Sequence, residues 1–158
     1  MSSVKPVPEG YHSLTPYLFV NGAAKAIEFY KNVFGATERM RMPGENGRIM
    51  HAELKIGDSV VMLSDENLQM GARSPLTIGG TGTGINVYVP DVDKVVQAAV
   101  DGGAKLVRPV KDQFYGDRSG SVIDPFGHLW SVATHIEDVS PDEMRKRMAA
   151  AMSQTAGA

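Results

Sequence analysis

The order of the predicted elements occurs twice in this sequence, and this duplication constrains the fold more than any other feature. Residues 15–36 predict a strand and then a helix, because an alternating run leads into apolar side chains at helical spacing. Residues 84–104 predict the same pair of elements. Gly35-Ala36 and Gly103-Ala104, which end the two helices, lie 68 positions apart. The sequence therefore indicates two copies of one structural unit.

Three further strand-like runs follow each helix, so that each half has the order βαβββ. The runs are residues 37–41, 51–56 and 59–64 in the first half, and 105–109, 119–124 and 128–134 in the second. We predict an α+β fold of tandem βαβββ modules at 14–65 and 83–136, joined by a flexible, polar and glycine-rich linker at 66–82. The modules form one domain at 14–136, with an N-terminal arm at 1–13 and a C-terminal helix and tail at 137–158.

The segment after the second module predicts a helix that is capped by Ser140 and has Pro141 at its first position. Met144, Met148 and Met152 then lie on one helical face. We expect this face to pack on the domain or on a second copy of the chain. We predict a homodimer, in which the second of these contacts would form.

Charge and composition argue against several classes of function. The 158 residues carry a formal net charge of −2, which disfavours nucleic acid and anionic membrane surfaces as partners. The sequence lacks an apolar run of the roughly 18 residues that a membrane span needs, and its start has no signal-peptide character. We therefore predict a cytoplasmic protein. The absence of cysteine excludes thiolate nucleophiles and cysteine-based metal sites.

The chain resembles the vicinal oxygen chelate superfamily, the group of glyoxalases, bleomycin-resistance proteins and extradiol dioxygenases. The resemblance is carried by FVNGAAKAIEFYKNVFGA in the first half and by VPDVDKVVQAAVDGGAKL and DPFGHLWSVATH in the second. HAELKIGDSVVMLSDE and THIEDVSPDEM are similar to the PhnB-like branch of this superfamily. The resemblance covers residues 13–148 and implies paired half-barrels, each with a cavity on its concave side and its helix on the other.

The resemblance also implies where a metal would bind. In metal-dependent members, a His near the start of each half's first strand and a Glu in each half's last strand hold one divalent ion. The matching positions in this sequence are Thr15, Met62, Gly84 and Ser131. Hydroxyls, a thioether and a glycine are weak ligands for such ions. We therefore expect no metal and no other cofactor.

Alternation along the strands predicts which side chains line the cavity. The predicted substrate-binding residues are Tyr17, Phe19, Met62, Asn86, Tyr88, Tyr115, Arg118 and Ser131. Most of them are aromatic or polar, which is a common composition for a small-molecule site. Arg118 could bind a carboxylate or phosphate group of a ligand, or it could anchor its own loop by pairing with Asp117.

His51 and Glu53 are the predicted catalytic residues. Their spacing places both on the strand face turned towards the cavity, because Ala52, Leu54 and Ile56 form the apolar face. Histidine titrates near neutral pH, so this pair could transfer protons. The pair could also belong to a displaced metal site, or lie on a solvated strand face and make only cross-strand hydrogen bonds.

Three functions fit this sequence. The first is an enzyme, a lyase or isomerase or a relative of the dioxygenases, that acts on a small molecule of unknown identity without the usual metal ligands. The second is a binding protein that sequesters a metabolite or an antibiotic in the aromatic cavity. The third is a purely structural dimer module. We take the enzyme as the working hypothesis and keep small-molecule binding as the alternative.

Overall fold

The computed structural model describes residues 4–155, so the first three residues of the predicted arm and the last three of the predicted tail lie outside the described residues. The chain divides into two compact units. The first unit comprises the chain up to Thr83 together with Asp124–His128, and the second comprises Gly84–Ile123 and the chain from Leu129 onward. No helix within the described part of the chain has the length and apolar character needed to cross a membrane.

The first unit is a four-stranded mixed sheet with one long helix. Its elements are β1 (Tyr17–Val20), α1 (Ala23–Phe34), β2 (Thr37–Pro43), β3 (Ile49–Ile56), β4 (Ser59–Asp65) and the short α2 (Pro75–Ile78). The strand order is β1-β4-β3-β2. β1 runs parallel to β4, whereas β3 is antiparallel to both β2 and β4. α1 carries the chain from β1 to β2 at the opposite edge, and the two antiparallel pairs that follow bring β4 beside β1 in the parallel direction.

The second unit repeats this arrangement. Its elements are β5 (Gly84–Tyr88), α3 (Val92–Asp101), β6 (Lys105–Asp112), β7 (Asp117–Ile123), β8 (Leu129–His135) and α4 (Pro141–Thr155). The strand order is β5-β8-β7-β6, with β5 parallel to β8. The predicted α+β class and the tandem βαβββ order are therefore confirmed.

Burial in the first unit follows the predicted alternation on β1 and β3. Leu18 and Val20 on β1, and Ala52 and Leu54 on β3, are buried, and α1 packs on both strands. Tyr17 alternates with these residues along β1 and is half-exposed. One face of the sheet thus forms the core with α1, which leaves the opposite face for a functional site.

The carboxylate of Asp65 joins three elements of the first unit. Its Oδ1 accepts hydrogen bonds from the backbone N–H groups of Gly22 and Ala23, both at 2.9 Å, at the start of α1. Its Oδ2 accepts from the N–H of Ile49 at 2.7 Å, where β3 begins. Gly22 has no side chain with which to cap α1, so the carboxylate at the end of β4 takes over this role.

The turn at Asp124–His128 connects two strands of the second unit but belongs to the first unit. Asp124 Oδ1 accepts the N–H groups of Phe126 and His128, and its Oδ2 accepts the hydroxyl of Tyr30 at 2.7 Å. His128 Nε2 lies 3.2 Å from the carbonyl oxygen of Phe19. The turn is therefore a hydrogen-bonded part of the first unit's core.

The structure corrects the flexible linker predicted at 66–82. Asn67 and Ala72 form a β-bridge, and a helix follows at Pro75–Ile78. Ser74 is fully buried and caps this helix, and its backbone N–H donates to the Glu66 carboxylate at 2.9 Å. The first part of the segment is ordered by these contacts, which its polar and glycine-rich composition did not indicate.

The C-terminal helix begins as predicted. The Ser140 hydroxyl accepts the backbone N–H three residues later, and Arg147 forms two hydrogen bonds with the Glu137 carboxylate at 2.7 and 2.8 Å. Met148 and Met152 are 41% and 64% exposed. The homodimer that this face suggested stays a prediction.

We expect Asp65→Ala to lower the free energy of unfolding by about 2–4 kcal/mol, because three backbone N–H groups lose a charged acceptor. Urea unfolding followed by circular dichroism measures this change. Asp58→Ala, at an exposed turn, is the matched control and should change stability by less than about 0.5 kcal/mol. Equal effects of the two substitutions would contradict the bridging role of Asp65.

Candidate active site

The face of the first sheet opposite α1 carries five of the predicted site residues. Tyr17 and Phe19 lie on β1, His51 and Glu53 on β3, and Met62 on β4 between them. Met62 pairs in register with Tyr17 on one side and with Glu53 on the other. The ring centroids of Tyr17 and Phe19 are 5.1 Å apart, and those of Tyr17 and His51 are 5.5 Å apart. The structure thus brings these five residues together.

A chain of hydrogen bonds connects four side chains on this face, and we call it the Tyr–His–Glu chain. The Tyr17 hydroxyl lies 2.9 Å from His51 Nδ1, and His51 Nε2 lies 3.4 Å from Glu53 Oε1. The Tyr11 hydroxyl donates to the other carboxylate oxygen, Glu53 Oε2. Tyr11 comes from the predicted N-terminal arm, and no strand or helix pattern in that segment pointed to it.

The charge of Glu53 fixes the direction of this chain. The hydrogen bond from Tyr11 holds the pKa of Glu53 below its usual value, and His51 lowers the pKa further although burial opposes the shift. An ionised carboxylate only accepts hydrogen bonds, so His51 must donate from Nε2. In the neutral imidazole Nδ1 is then the acceptor, and the Tyr17 hydroxyl donates to it. The same bond to Glu53 raises the pKa of Tyr11.

A cavity of about 660 Å³ opens beside the Tyr–His–Glu chain. Tyr17 and Phe19 line it from β1, and the end of β4 contributes Ser64 and Asp65. The β2–β3 hairpin turn, the first two residues of β3 and the loop at residues 67–72 form its remaining walls. Of the Tyr–His–Glu chain, Tyr17 is the residue that lines the cavity, so it lies between the cavity and His51. The sequence placed both His51 and Tyr17 at the cavity, and in the structure Tyr17 lines the cavity and is hydrogen-bonded to His51.

Sequence reasoning missed the cavity wall at residues 67–72 because it assigned this segment to the linker. The Asn67 side chain accepts the N–H of Met70 at 3.2 Å, and Gly71 ends the turn with a positive φ of 74°. An Asn followed by a Gly at this spacing is typical of a tight turn, and this pattern could have indicated the turn from the sequence.

The second unit holds the remaining predicted residues. Asn86 and Ser131 are register partners on β5 and β8. Tyr88 donates to Asp117 Oδ2 at 2.7 Å, and His135 Nδ1 lies 2.7 Å from Asp117 Oδ1. These bonds to the buried Asp117 raise the pKa of both Tyr88 and His135. Tyr115 packs edge-on against its neighbour Phe114.

Arg118 pairs with two carboxylates of its own unit. Its guanidinium binds both carboxylate oxygens of Asp93 on α3, at 2.7 and 2.8 Å, and Asp112 on β6 at 2.8 Å. These carboxylates raise its pKa above the usual value. Arg118 alternates with Asp117 along β7, so it faces α3 while Asp117 turns the other way. Within the unit its partners are Asp93 and Asp112 in place of the alternative partner Asp117, and its predicted contact with a ligand stays a prediction.

The sequence model of the Glyoxalase/Bleomycin resistance protein/Dioxygenase superfamily matches residues 11–132. The chain belongs to this superfamily. The match includes the first module, all but the last four residues of the second and the whole Tyr–His–Glu chain, and it confirms the family resemblance of the sequence.

This protein is similar in sequence to uncharacterized proteins and in fold to solved structures. An uncharacterized protein of Mycobacterium tuberculosis is 44% identical over 139 residues, which cover 86% of this chain and 82% of that protein. TioX from Micromonospora sp. ML1 is 28% identical, with a TM-score of 0.61, and the match covers 79% of this chain and 99% of TioX. The PhnB protein from Bacillus cereus is 17% identical with a TM-score of 0.61, covering 78% of this chain and 99% of its own, and shares the fold.

The metal of the superfamily does not fit the residues present here. The family resemblance assigns the ligand positions to Thr15 and Met62 in the first unit and to Gly84 and Ser131 in the second. Two neutral hydroxyls and a thioether bind divalent ions weakly, and glycine offers no side-chain ligand. Within residues 4–155 the structure shows no group of three His, Asp or Glu side chains that could hold a metal ion.

The bond between Tyr11 and Glu53 predicts how stability depends on pH. Glu53 has a lowered pKa in the folded protein, so its contribution is present above the ordinary value of 4.5 and is lost as the pH falls through the folded pKa. We expect Tyr11→Phe to lower the free energy of unfolding by about 1–2 kcal/mol near neutral pH. This loss should become smaller as the pH falls through the lowered pKa of Glu53. Urea unfolding at a series of pH values measures the difference.

Glu53→Gln provides the control for this experiment. In that background the carboxylate no longer titrates, so the cost of Tyr11→Phe should no longer vary with pH in the acid range. A cost that keeps the same pH dependence in both backgrounds would show that Glu53 is not its origin.

Proposed function

We propose that this protein binds a small oxygenated molecule in the cavity of the first unit and moves a proton with Tyr17, as a lyase or isomerase does. The observation that carries the proposal is the Tyr17 hydroxyl at the cavity wall, 2.9 Å from His51 Nδ1, with the ionised Glu53 on the other ring nitrogen. This arrangement has the logic of a nucleophile or base that is activated by a histidine, which a carboxylate orients.

The arrangement supports a balanced proton relay. As a carbon acid beside a carbonyl group loses its proton to the Tyr17 oxygen, the Tyr17 proton passes to His51 Nδ1. The electron pair of the broken C–H bond stays on the substrate as an enolate. The imidazolium of His51 is stabilised by the Glu53 carboxylate, and the relay runs in reverse when the proton is returned. Every proton acceptor in this step is a side chain of the described chain.

We further propose that the relay works without the divalent ion of the superfamily. The donor groups at the four ligand positions support this view, since none is a carboxylate or an imidazole. The proposed chemistry needs only the three side chains of the relay and a cavity that excludes part of the solvent.

Binding without catalysis is the second candidate, and the rim of the cavity favours it. Met50 and Met70 are 67% and 82% exposed at this rim. Methionine side chains are flexible and adapt to differently shaped apolar molecules, which suits a protein that sequesters a metabolite or an antibiotic. In that case Tyr17 and Phe19 would serve as a platform for the ligand, and His51 would only hold the Tyr17 ring in place.

Deuterium exchange into carbon acids separates the two candidates. Wild-type protein in deuterium oxide with excess chelator is incubated with a panel of α-keto acids, α-hydroxyketones and aryl ketones, and proton NMR follows loss of the signal beside the carbonyl. We expect accelerated exchange for at least one compound. Tyr17→Phe and His51→Gln should reduce this rate by ~10²–10⁴-fold, because each removes one member of the relay.

His12→Gln is the matched control, since this exposed histidine lies outside the cavity, and it should exchange at the wild-type rate. Exchange that survives in Tyr17→Phe contradicts the relay. A protein that accelerates exchange of no compound, yet shows the same ligand-induced thermal stabilisation in wild type and in Tyr17→Phe, is a binder.

A further inference from the structure

The cavity of the first unit has a single cationic side chain among its lining residues, that of Arg48. Arg48 follows the tight turn at the tip of the β2–β3 hairpin, where Asn46 and Gly47 adopt positive φ angles of 55° and 76°. Its backbone N–H and C=O close this turn through hydrogen bonds with Glu45 and Gly44. The turn therefore fixes the point from which the guanidinium extends along the cavity wall.

A neutral group holds the guanidinium of Arg48. Its Nη2 donates to the backbone carbonyl of Glu66, while the Glu66 carboxylate, which interacts electrostatically with Arg48, accepts hydrogen bonds from Ser74 and Thr77. Arg41, Arg118 and Arg147, by contrast, each bind carboxylates at 2.7–2.9 Å. The guanidinium of Arg48 is thus positioned by a neutral acceptor and its charge is only partly compensated by Glu66, so its remaining N–H groups suit a planar anionic group.

The two carboxylates of the cavity wall do not cancel this charge. Asp65 uses both oxygens to accept three backbone N–H groups, at Gly22, Ala23 and Ile49. Glu45 lies exposed on the hairpin turn and faces solvent. An anion at Arg48 would be repelled weakly by Glu45, because a charge in contact with water is screened.

The opposite part of the cavity is apolar and aromatic. The rings of Tyr17 and Phe19 form a tilted pair with centroids 5.1 Å apart, and Ile49 and Met70 add aliphatic and thioether surface. A volume of about 660 Å³ accepts a fused two-ring aromatic molecule. Such a molecule would lie against these rings while a substituent reaches the hairpin turn.

We propose that this cavity selects flat, apolar molecules that carry a carboxylate or phosphate group, and that Arg48 binds this anionic group. The inference rests on the proposed function only in placing the ligand in this cavity. It is independent of whether Tyr17 transfers a proton.

Isothermal titration calorimetry with three naphthalene probes tests the inference. Naphthoate and naphthyl phosphate carry the two kinds of anion, and naphthamide is the uncharged analogue of the same shape. We expect wild-type protein to bind at least one anionic probe about tenfold or more tightly than naphthamide, because a charged hydrogen bond to arginine strengthens binding by about this factor. The comparison of the two anionic probes identifies the preferred group.

Variants of the hairpin assign the preference to Arg48. Arg48→Gln should bind naphthoate and naphthamide equally, and Arg48→Lys should keep part of the preference because it keeps the charge without the planar donor set. Arg73→Gln, which removes an equal charge from a residue outside the cavity, should behave as wild type. Glu45→Gln should tighten binding of the anionic probes modestly. Thermal unfolding of each variant verifies that it is folded.

The outcomes distinguish this inference from the proposed function. Equal affinity of wild-type protein for all three probes, or a preference that persists in Arg48→Gln, overturns the role of Arg48 and leaves the cavity as the ligand site. Failure of every probe to bind at millimolar concentration overturns the inferred ligand class. The deuterium exchange of Tyr17→Phe decides the proton relay in either case.

Discussion

The Asp65 carboxylate is the interaction on which the first unit depends. It accepts the free N–H groups at the start of α1 and at the start of β3, so it fixes the helix, two strands and the base of the cavity relative to one another. Because both oxygens are used in this way, Asp65 contributes little unsatisfied negative charge to the cavity. The same contacts that stabilise the fold therefore leave Arg48 as the cation that a ligand would meet.

A second carboxylate, that of Glu53, determines what the site could do. Tyr11 and His51 both bond to it, and its lowered pKa keeps it an acceptor at neutral pH. This requirement orders the imidazole and hence the hydroxyl of Tyr17. The proposed chemistry thus follows from one ionised group on β3, with Tyr17 as the residue that meets the ligand. In the proposed function, the superfamily's fold is retained and side chains of the first sheet transfer the proton.

Most of the fold could be predicted from the sequence, because the duplication and the alternation of apolar residues are local signals. The same alternation placed His51 and Glu53 on the face opposite α1. Tyr11 could not be found in this way, since an arm without regular structure has no periodicity that indicates its contacts. The segment after β4 is held in its conformation by hydrogen bonds from Ser74 and Thr77 to Glu66, which the composition of the segment does not reveal. The sequence placed Arg118 before the predicted strand at 119–124, whereas β7 already begins at Asp117.

The orientation of the Tyr–His–Glu chain is the central claim, and the tautomer of His51 tests it most directly. Nitrogen NMR of protein labelled at the histidine ring nitrogens, assigned by comparison with His51→Gln, reports which nitrogen carries the proton. The account predicts that, in the neutral ring, Nε2 is protonated towards Glu53 and Nδ1 is the unprotonated acceptor of the Tyr17 hydroxyl. A proton on Nδ1 of the neutral ring would contradict the account, because His51 could then not accept the proton of Tyr17.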